Sequence, residues 1–145
     1  MKSRNLVLVG AVIYVIAWFV PVHSGLSSSI VPGWEAFQVA LIEPFDDADP
    51  WYYFLHWIAS ALTNFVVVGA LALVLVARRS PPRLLRWILI ASALLNTHWL
   101  VLSEDRGDLR IGYYLWASSF FLIAAGFVLE ARRAESSKSP VPART

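Results

Sequence analysis

Cysteine is absent from this 145-residue chain, and charged residues make up only 15% of it. The absence of cysteine excludes disulfides, thiolate metal sites, a cysteine nucleophile and a palmitoyl anchor. The formal net charge of +2 is too small to favour nucleic acid as a partner. With 58% hydrophobic residues, the composition is wrong for a soluble domain and typical of a membrane protein.

The common catalytic signatures are missing as well. The sequence contains no glycine-rich phosphate loop, no Gly-x-Ser-x-Gly elbow and no zincin motif. It is also shorter than the inverted-repeat folds from which many transporters are built. The sequence therefore gives no strong indication of a cofactor or of an enzymatic activity.

The apolar residues are concentrated in four blocks. These blocks cover about residues 6–22, 54–77, 84–102 and 111–129. A bilayer core of about 30 Å requires roughly 20 apolar residues per helix, and helices satisfy their own backbone hydrogen bonds in lipid. The sequence predicts an all-α membrane protein, with four transmembrane helices in an up-down-up-down bundle over residues 1–131.

The basic residues indicate the orientation of these spans. Of the twelve lysines and arginines, two precede the first block, four lie around the second connection and four follow the last block. Basic residues near the ends of spans stay on the cytoplasmic side. Both termini are therefore predicted to be cytoplasmic, in a multi-pass protein of the cell membrane. Residues 132–145 lack an apolar period and are predicted to form a disordered basic tail.

A cleaved signal peptide is the alternative interpretation of the first block. Residues 1–4 resemble its basic segment, and residues 22–24 are a tolerable cleavage site. Bulky Trp18 and Phe19, together with Pro21 beside the cut, disfavour cleavage. The prediction of four spans is kept.

The long first outer loop, residues 23–53, contains a helical pattern of its own. Trp34, Phe37 and Leu41 recur at helical spacing, and Pro44 ends the pattern. We expect a short interfacial helix over about 33–43, with its aromatic face toward the membrane. Simple surface packing is the alternative to a role as a lid over the bundle.

Polar residues inside the predicted spans form a candidate ligand site, since such residues are costly in lipid and indicate function. They lie on shared helical faces in the outer half of the bundle. The predicted ligand-binding residues are His56, Asn64, Asn96, Trp99, Ser103, Tyr114 and Ser118.

Two packing predictions follow from the same spans. Asn64 and Asn96 are equally distant from position 80, the expected hairpin tip, so their side chains are predicted to hydrogen-bond each other. Gly112, Ser119 and Gly126 form a small-residue face on the fourth span, suited to close helix packing.

A metal site is a further hypothesis. His23, His56 and Glu104 fall near the outer ends of the spans, and imidazole and carboxylate suit zinc or copper. No His-x-x-x-His or Glu-x-x-His spacing supports the site. The expected register separates His56 and His98 by roughly 9 Å along the helix axis, which disfavours a haem between them.

Three functions are compatible with these features. The first is a non-enzymatic accessory, assembly or scaffold subunit, whose partners are the bilayer and another membrane protein or a second copy of the chain. The second is a binding or transport element for a lipid headgroup or small polar solute. The third is a histidine-dependent metal or haem enzyme. The layout resembles that of claudins and tetraspanins in topology alone, because the chain lacks their loop cysteines.

Overall fold

The computed structural model describes residues 3–24, 30–42, 51–76, 82–102 and 109–136. Within these ranges the chain is mostly helical, with five α-helices and one two-stranded sheet. The helices are α1 (Ser3–Phe19), α2 (Gly33–Ile42), α3 (Trp51–Leu71), α4 (Arg83–Leu102) and α5 (Ile111–Ser136). A π-helical segment, Ala72–Val76, continues α3, and the strands are β1 (Pro21–Ser24) and β2 (Ile30–Pro32).

The predicted helices are confirmed, with small differences at their ends. Each of the four apolar blocks is largely helical, and α2 matches the helix expected in the first outer loop. α5 continues to Ser136, beyond the expected start of the tail at 132, and residues 137–145 lie outside the described part of the chain.

The small sheet is the part of the fold that the all-α prediction missed. α1 ends at Phe19, and β1 begins at Pro21. Proline inside a helix would lose the hydrogen bond to the carbonyl four residues earlier and would clash with that carbonyl. The expected first span of 6–22 therefore ends early, and β1 pairs antiparallel with β2, with Pro21 opposite Pro32.

The sheet is fastened to the beginning of α5. His23 forms an isolated antiparallel bridge with Leu109, and the backbone N–H of Arg110 donates to the carbonyl of Val22 over 2.9 Å. The guanidinium of Arg110 also donates to the hydroxyl of Ser24 over 3.1 Å. These bonds join the end of α1 to the start of α5 at one end of the bundle.

α1 and α5 pack antiparallel at very short range. A Cβ added to Gly126 would lie 2.6 Å from Val7 Cγ2, and one added to Gly10 would lie 2.7 Å from Ile123 Cγ1. Small residues allow helix backbones to approach this closely. The small-residue face of α5 is confirmed, since its glycines are buried and Ser119 is fully buried.

Two helices in the described ranges are long and apolar enough to cross a bilayer. They comprise Phe54–Leu75, with 22 residues, and Ile111–Arg133, with 23 residues. The apolar helix α1 is shorter, with 17 residues. Length and composition alone are weak evidence for spanning, because the core helix of a soluble protein passes the same test.

Candidate functional site

A cavity of about 660 Å³ lies at the end of the bundle where α1 and α4 finish and α3 and α5 begin. Its wall consists mainly of aromatic, aliphatic and small residues. The aromatic lining residues are Trp18, Phe37, Trp57, Trp99, Tyr113 and Trp116. Four further lining residues have polar side chains: His23, Ser24, Ser60 and Asn64. The described residues that line it include no aspartate, glutamate, lysine or arginine.

α2 forms one side of this cavity, where it crosses the end of α1. Phe37 packs its ring against Trp18, with centroids 5.1 Å apart, and against Phe65 of α3, with centroids 5.8 Å apart. A Cβ on Gly33 would lie 2.5 Å from the carbonyl oxygen of Ala17. Glycine at the first position of α2 therefore lets this helix approach α1 closely.

Asn64 presents a buried amide to the cavity. Its Oδ1 accepts hydrogen bonds from the hydroxyl of Tyr14 over 3.0 Å and from the indole N–H of Trp116 over 2.9 Å. Its Nδ2 donates to the carbonyl of Ala61 over 3.1 Å. An asparagine amide has two donors and an oxygen with two lone pairs. Within the described ranges the second N–H makes no hydrogen bond to the protein, and Asn64 is one of the residues that line the cavity.

Asn96 lies behind the cavity wall and is fully buried. Its Oδ1 accepts from the hydroxyl of Ser60 over 2.8 Å, and its Nδ2 donates to the hydroxyl of Thr63 over 3.0 Å. Its backbone carbonyl accepts from the hydroxyl of Tyr113 over 2.5 Å. The predicted direct hydrogen bond between Asn64 and Asn96 is therefore wrong, because each amide uses other partners.

The reason is a shift in register between α3 and α4. Ser60 meets Asn96, and the rings of Trp57 and Trp99 lie 6.1 Å apart. Both pairs are equidistant from position 78 in the sequence, two residues before the expected tip. A π-helical turn contains more residues than an α-helical turn, so the Ala72–Val76 segment changes the register that ideal α-helices would have.

The same shift brings two histidines into contact. The ring centroids of His56 and His98 are 4.6 Å apart, whereas the expected register separates them along the axis. The Nδ1 of His56 lies 2.9 Å from the carbonyl of Tyr52, and that of His98 lies 2.6 Å from the carbonyl of Leu95. The two rings form a compact pair at the same end of the bundle as the cavity.

The structure brings only some of the predicted site residues together. Asn64 and Trp99 line the cavity, Asn96 supports its wall, and His56 belongs to the histidine pair. Tyr114 and Ser118 are exposed on the outer surface of α5 and do not line the cavity. Ser103 and Glu104 lie outside the described residues.

His23 and His56, two of the three residues proposed as metal ligands, lie on different elements. His23 lies in β1 and lines the cavity, while His56 contacts His98 instead. Within the described ranges, no group of three or more histidine, cysteine, aspartate or glutamate side chains is placed to hold a metal ion. The set of His23, His56 and Glu104 therefore gains no support from the described geometry.

Sequence reasoning missed the aromatic residues that donate to the side-chain oxygen of Asn64 and to the backbone carbonyl of Asn96. Tyr14, Tyr113 and Trp116 carry hydroxyl or indole donors that reach Asn64 and Asn96. The signal that could have found them is the position of Tyr113 and Trp116 one turn apart on α5, and of Tyr14 within an otherwise apolar helix.

Comparison of the chain with protein-family models, with curated proteins and with solved structures finds no match in any of the three.

Proposed function

We propose that this chain is an integral membrane protein with four spanning helices, α1, α3, α4 and α5, and that it binds a small uncharged amphipathic molecule. The binding site is the cavity bordered by α2 and the sheet. In the orientation that the basic residues favour, this cavity lies in the outer half of the bundle.

The distribution of exposed residues supports four spans. Large apolar side chains are exposed on each of the four long helices, and buried polar ones lie between them. Examples of the exposed residues are Val12 (60%), Phe65 (58%), Leu94 (59%) and Phe121 (43%), one on each helix. In water such surfaces would associate, whereas in a bilayer they face acyl chains.

The buried residues support the same arrangement. Ser60, Thr63, Asn64, Asn96 and Ser119 are at most 8% exposed. Polar side chains in membrane helices turn inward, where they hydrogen-bond to other helices. α1 and α4 take part in these contacts, through Tyr14 and Asn96. These buried contacts therefore include the two long helices that length and composition do not identify as spans.

Retention of α1 is part of the proposal. Val7, Tyr14 and Ala17 of this helix are buried, and the glycine face of α5 packs directly against it. A cleaved signal peptide would leave that face, and the oxygen of Asn64, without these contacts. The packing therefore favours an uncleaved first span.

The observation that best supports ligand binding is the cavity itself, which has one unused amide donor in a largely apolar wall. A volume of about 660 Å³ falls within the range of small-molecule sites. The lack of lysine and arginine among its described lining residues disfavours a phosphate headgroup, which would require charge-assisted donors. An apolar chain with an uncharged acceptor such as a hydroxyl or ester carbonyl matches the wall best.

The test is native mass spectrometry of the delipidated full chain in mild detergent. We expect one molecule of 1-monooleoylglycerol to bind per chain. The anionic 1-oleoyl-lysophosphatidate should bind at least about tenfold more weakly, because its phosphate would enter the cavity without a positively charged partner. Ala36→Phe should abolish binding, because Ala36 lines the cavity.

The matched control is Gln38→Phe, two residues further along α2, at an exposed position that does not line the cavity. It should bind as wild type does. Equal binding to both variants, or no binding to wild type, would contradict the ligand site. The accessory or scaffold role would then be the better hypothesis.

A further inference from the structure

The His56 and His98 pair lies outside the cavity lining and is used by none of the contacts proposed for ligand binding. The two residues come from different helices, α3 and α4, and both rings are partly exposed. His98 is also in contact with the ring of Trp99, with centroids 4.5 Å apart.

The hydrogen bonds of the pair determine which ring nitrogens are free. A backbone carbonyl can only accept, so the Nδ1 atoms of His56 and His98 carry the hydrogens that they donate to Tyr52 and Leu95. In the neutral ring, Nε2 then holds the lone pair. Metal-binding histidines in proteins are commonly oriented in this way, with the other ring N–H donated to a backbone carbonyl.

The separation of the rings also matches shared coordination. With metal–nitrogen bonds of about 2.0–2.1 Å, two imidazoles on one metal ion have centroids roughly 4.5 Å apart at a right angle and roughly 5.2 Å apart at a tetrahedral angle. The centroids of His56 and His98 are 4.6 Å apart. We propose that these two histidines bind one late first-row divalent metal ion through their Nε2 atoms, with water completing its coordination.

Imidazole nitrogen binds copper(II), nickel(II) and zinc(II) well, and copper(II) is the tightest of these by the Irving–Williams order. The site would join α3 to α4 near one end of the bundle. This inference is independent of the proposed function, because neither histidine lines the cavity.

The experiment uses the full chain in detergent, purified without a histidine tag, because three histidines are all that the sequence contains. Copper(II) is titrated and followed by pulsed electron paramagnetic resonance, which detects the remote nitrogen of each bound imidazole. We expect one ion per chain with two imidazole ligands, and weaker binding of zinc(II) measured by equilibrium dialysis.

His56→Gln and His98→Gln should each lower copper(II) affinity at least about tenfold, and His23→Gln is the control that should leave it unchanged. Thermal unfolding in detergent establishes that each variant is folded. The spectrum of the wild type tests the proposal even where a variant does not fold. The proposal would be overturned if the wild-type spectrum showed fewer than two imidazole ligands, or if the variant with both His56→Gln and His98→Gln retained the ion.

Discussion

Asn64 and Asn96 use the same side-chain amide in two different ways. Asn96 links α4 to α3 inside the bundle, since its oxygen accepts from Ser60 and its nitrogen donates to Thr63. Asn64 lines the cavity, and its nitrogen donates one N–H to the carbonyl of Ala61. The amide of Asn96 therefore joins two helices, and that of Asn64 is the one that contacts the ligand in the proposed function.

Leucine substitutions should separate these two roles. Interhelical hydrogen bonds in membranes contribute about 0.6 kcal/mol on average and at most about 1.7, so losing two should cost Asn96→Leu about 1–3 kcal/mol of unfolding free energy. Its affinity for 1-monooleoylglycerol should change little. Asn64→Leu should lose that binding, as native mass spectrometry would detect, and reversible unfolding in mixed micelles would measure both stabilities. Unchanged binding by Asn64→Leu would remove this amide from the site.

The sequence could locate buried polar residues but not always the direction in which they face. The inward positions of Asn64 and Asn96 follow from the cost of amides in lipid. The same argument does not apply to Tyr114, because a tyrosine near the end of a helix can expose its ring and still place its hydroxyl at the membrane–water interface. Tyr113, one residue earlier, is the tyrosine that turns inward, and periodicity alone could not choose between them.

Among the elements, α2 approaches α1 at backbone distance, in addition to the packing of Phe37. The carbonyl of Ala17 cannot bond to the residue four positions later, because that residue is Pro21, which has no N–H. Gly33 packs against this carbonyl where α2 begins. The end of one helix and the start of another are thus fitted to each other at backbone distance.

Alanine scanning of two glycines should test this contact. Gly33→Ala would place a Cβ 2.5 Å from the oxygen of Ala17, so α2 must move, and both melting temperature and 1-monooleoylglycerol binding should fall. Gly69→Ala is the control, since its added Cβ would have no neighbour within 4 Å. It should gain roughly 0.5–1 kcal/mol from helix propensity. Equal melting temperatures for the two variants would contradict the close approach.

The helices were predictable because each carries a long apolar block, and α2 because its aromatic residues repeat at helical spacing. The sheet was not, since strands of four and three residues are too short to show an alternating pattern. The π-helical segment has no sequence signal of its own either. It contributes to the shift in register that brings His56 to His98, and ideal helices would not predict that contact.

At the scale of the molecule, the described helices expose large apolar side chains and bury several polar ones between them. Interfacial placement of α2 fits the same pattern, because Trp34 and Leu41 are exposed on it while Phe37 packs inward. The bundle thus offers a bilayer the kind of surface that water would disfavour.

Single introduced cysteines should establish the topology, and the natural chain gives no background because it has none. Ser28→Cys and Asp47→Cys should react with an impermeant maleimide on intact cells. Ser80→Cys and Ser137→Cys should react only after permeabilisation, because the surrounding basic residues keep those segments inside. Labelling of Ser80→Cys from outside would exclude the four-span arrangement.

The close packing of α1 against α5 also sets a condition on biosynthesis. Residues 20–110, which is 91 residues, separate the two helices in the sequence. At about 5–20 residues per second, α1 leaves the ribosome roughly 5–18 s before α5 begins to emerge. During that interval the face of α1 that packs against α5 lacks this partner. In the proposed four-span arrangement, exposed apolar residues such as Leu8, Val12 and Val15 must hold α1 in the bilayer until α5 arrives.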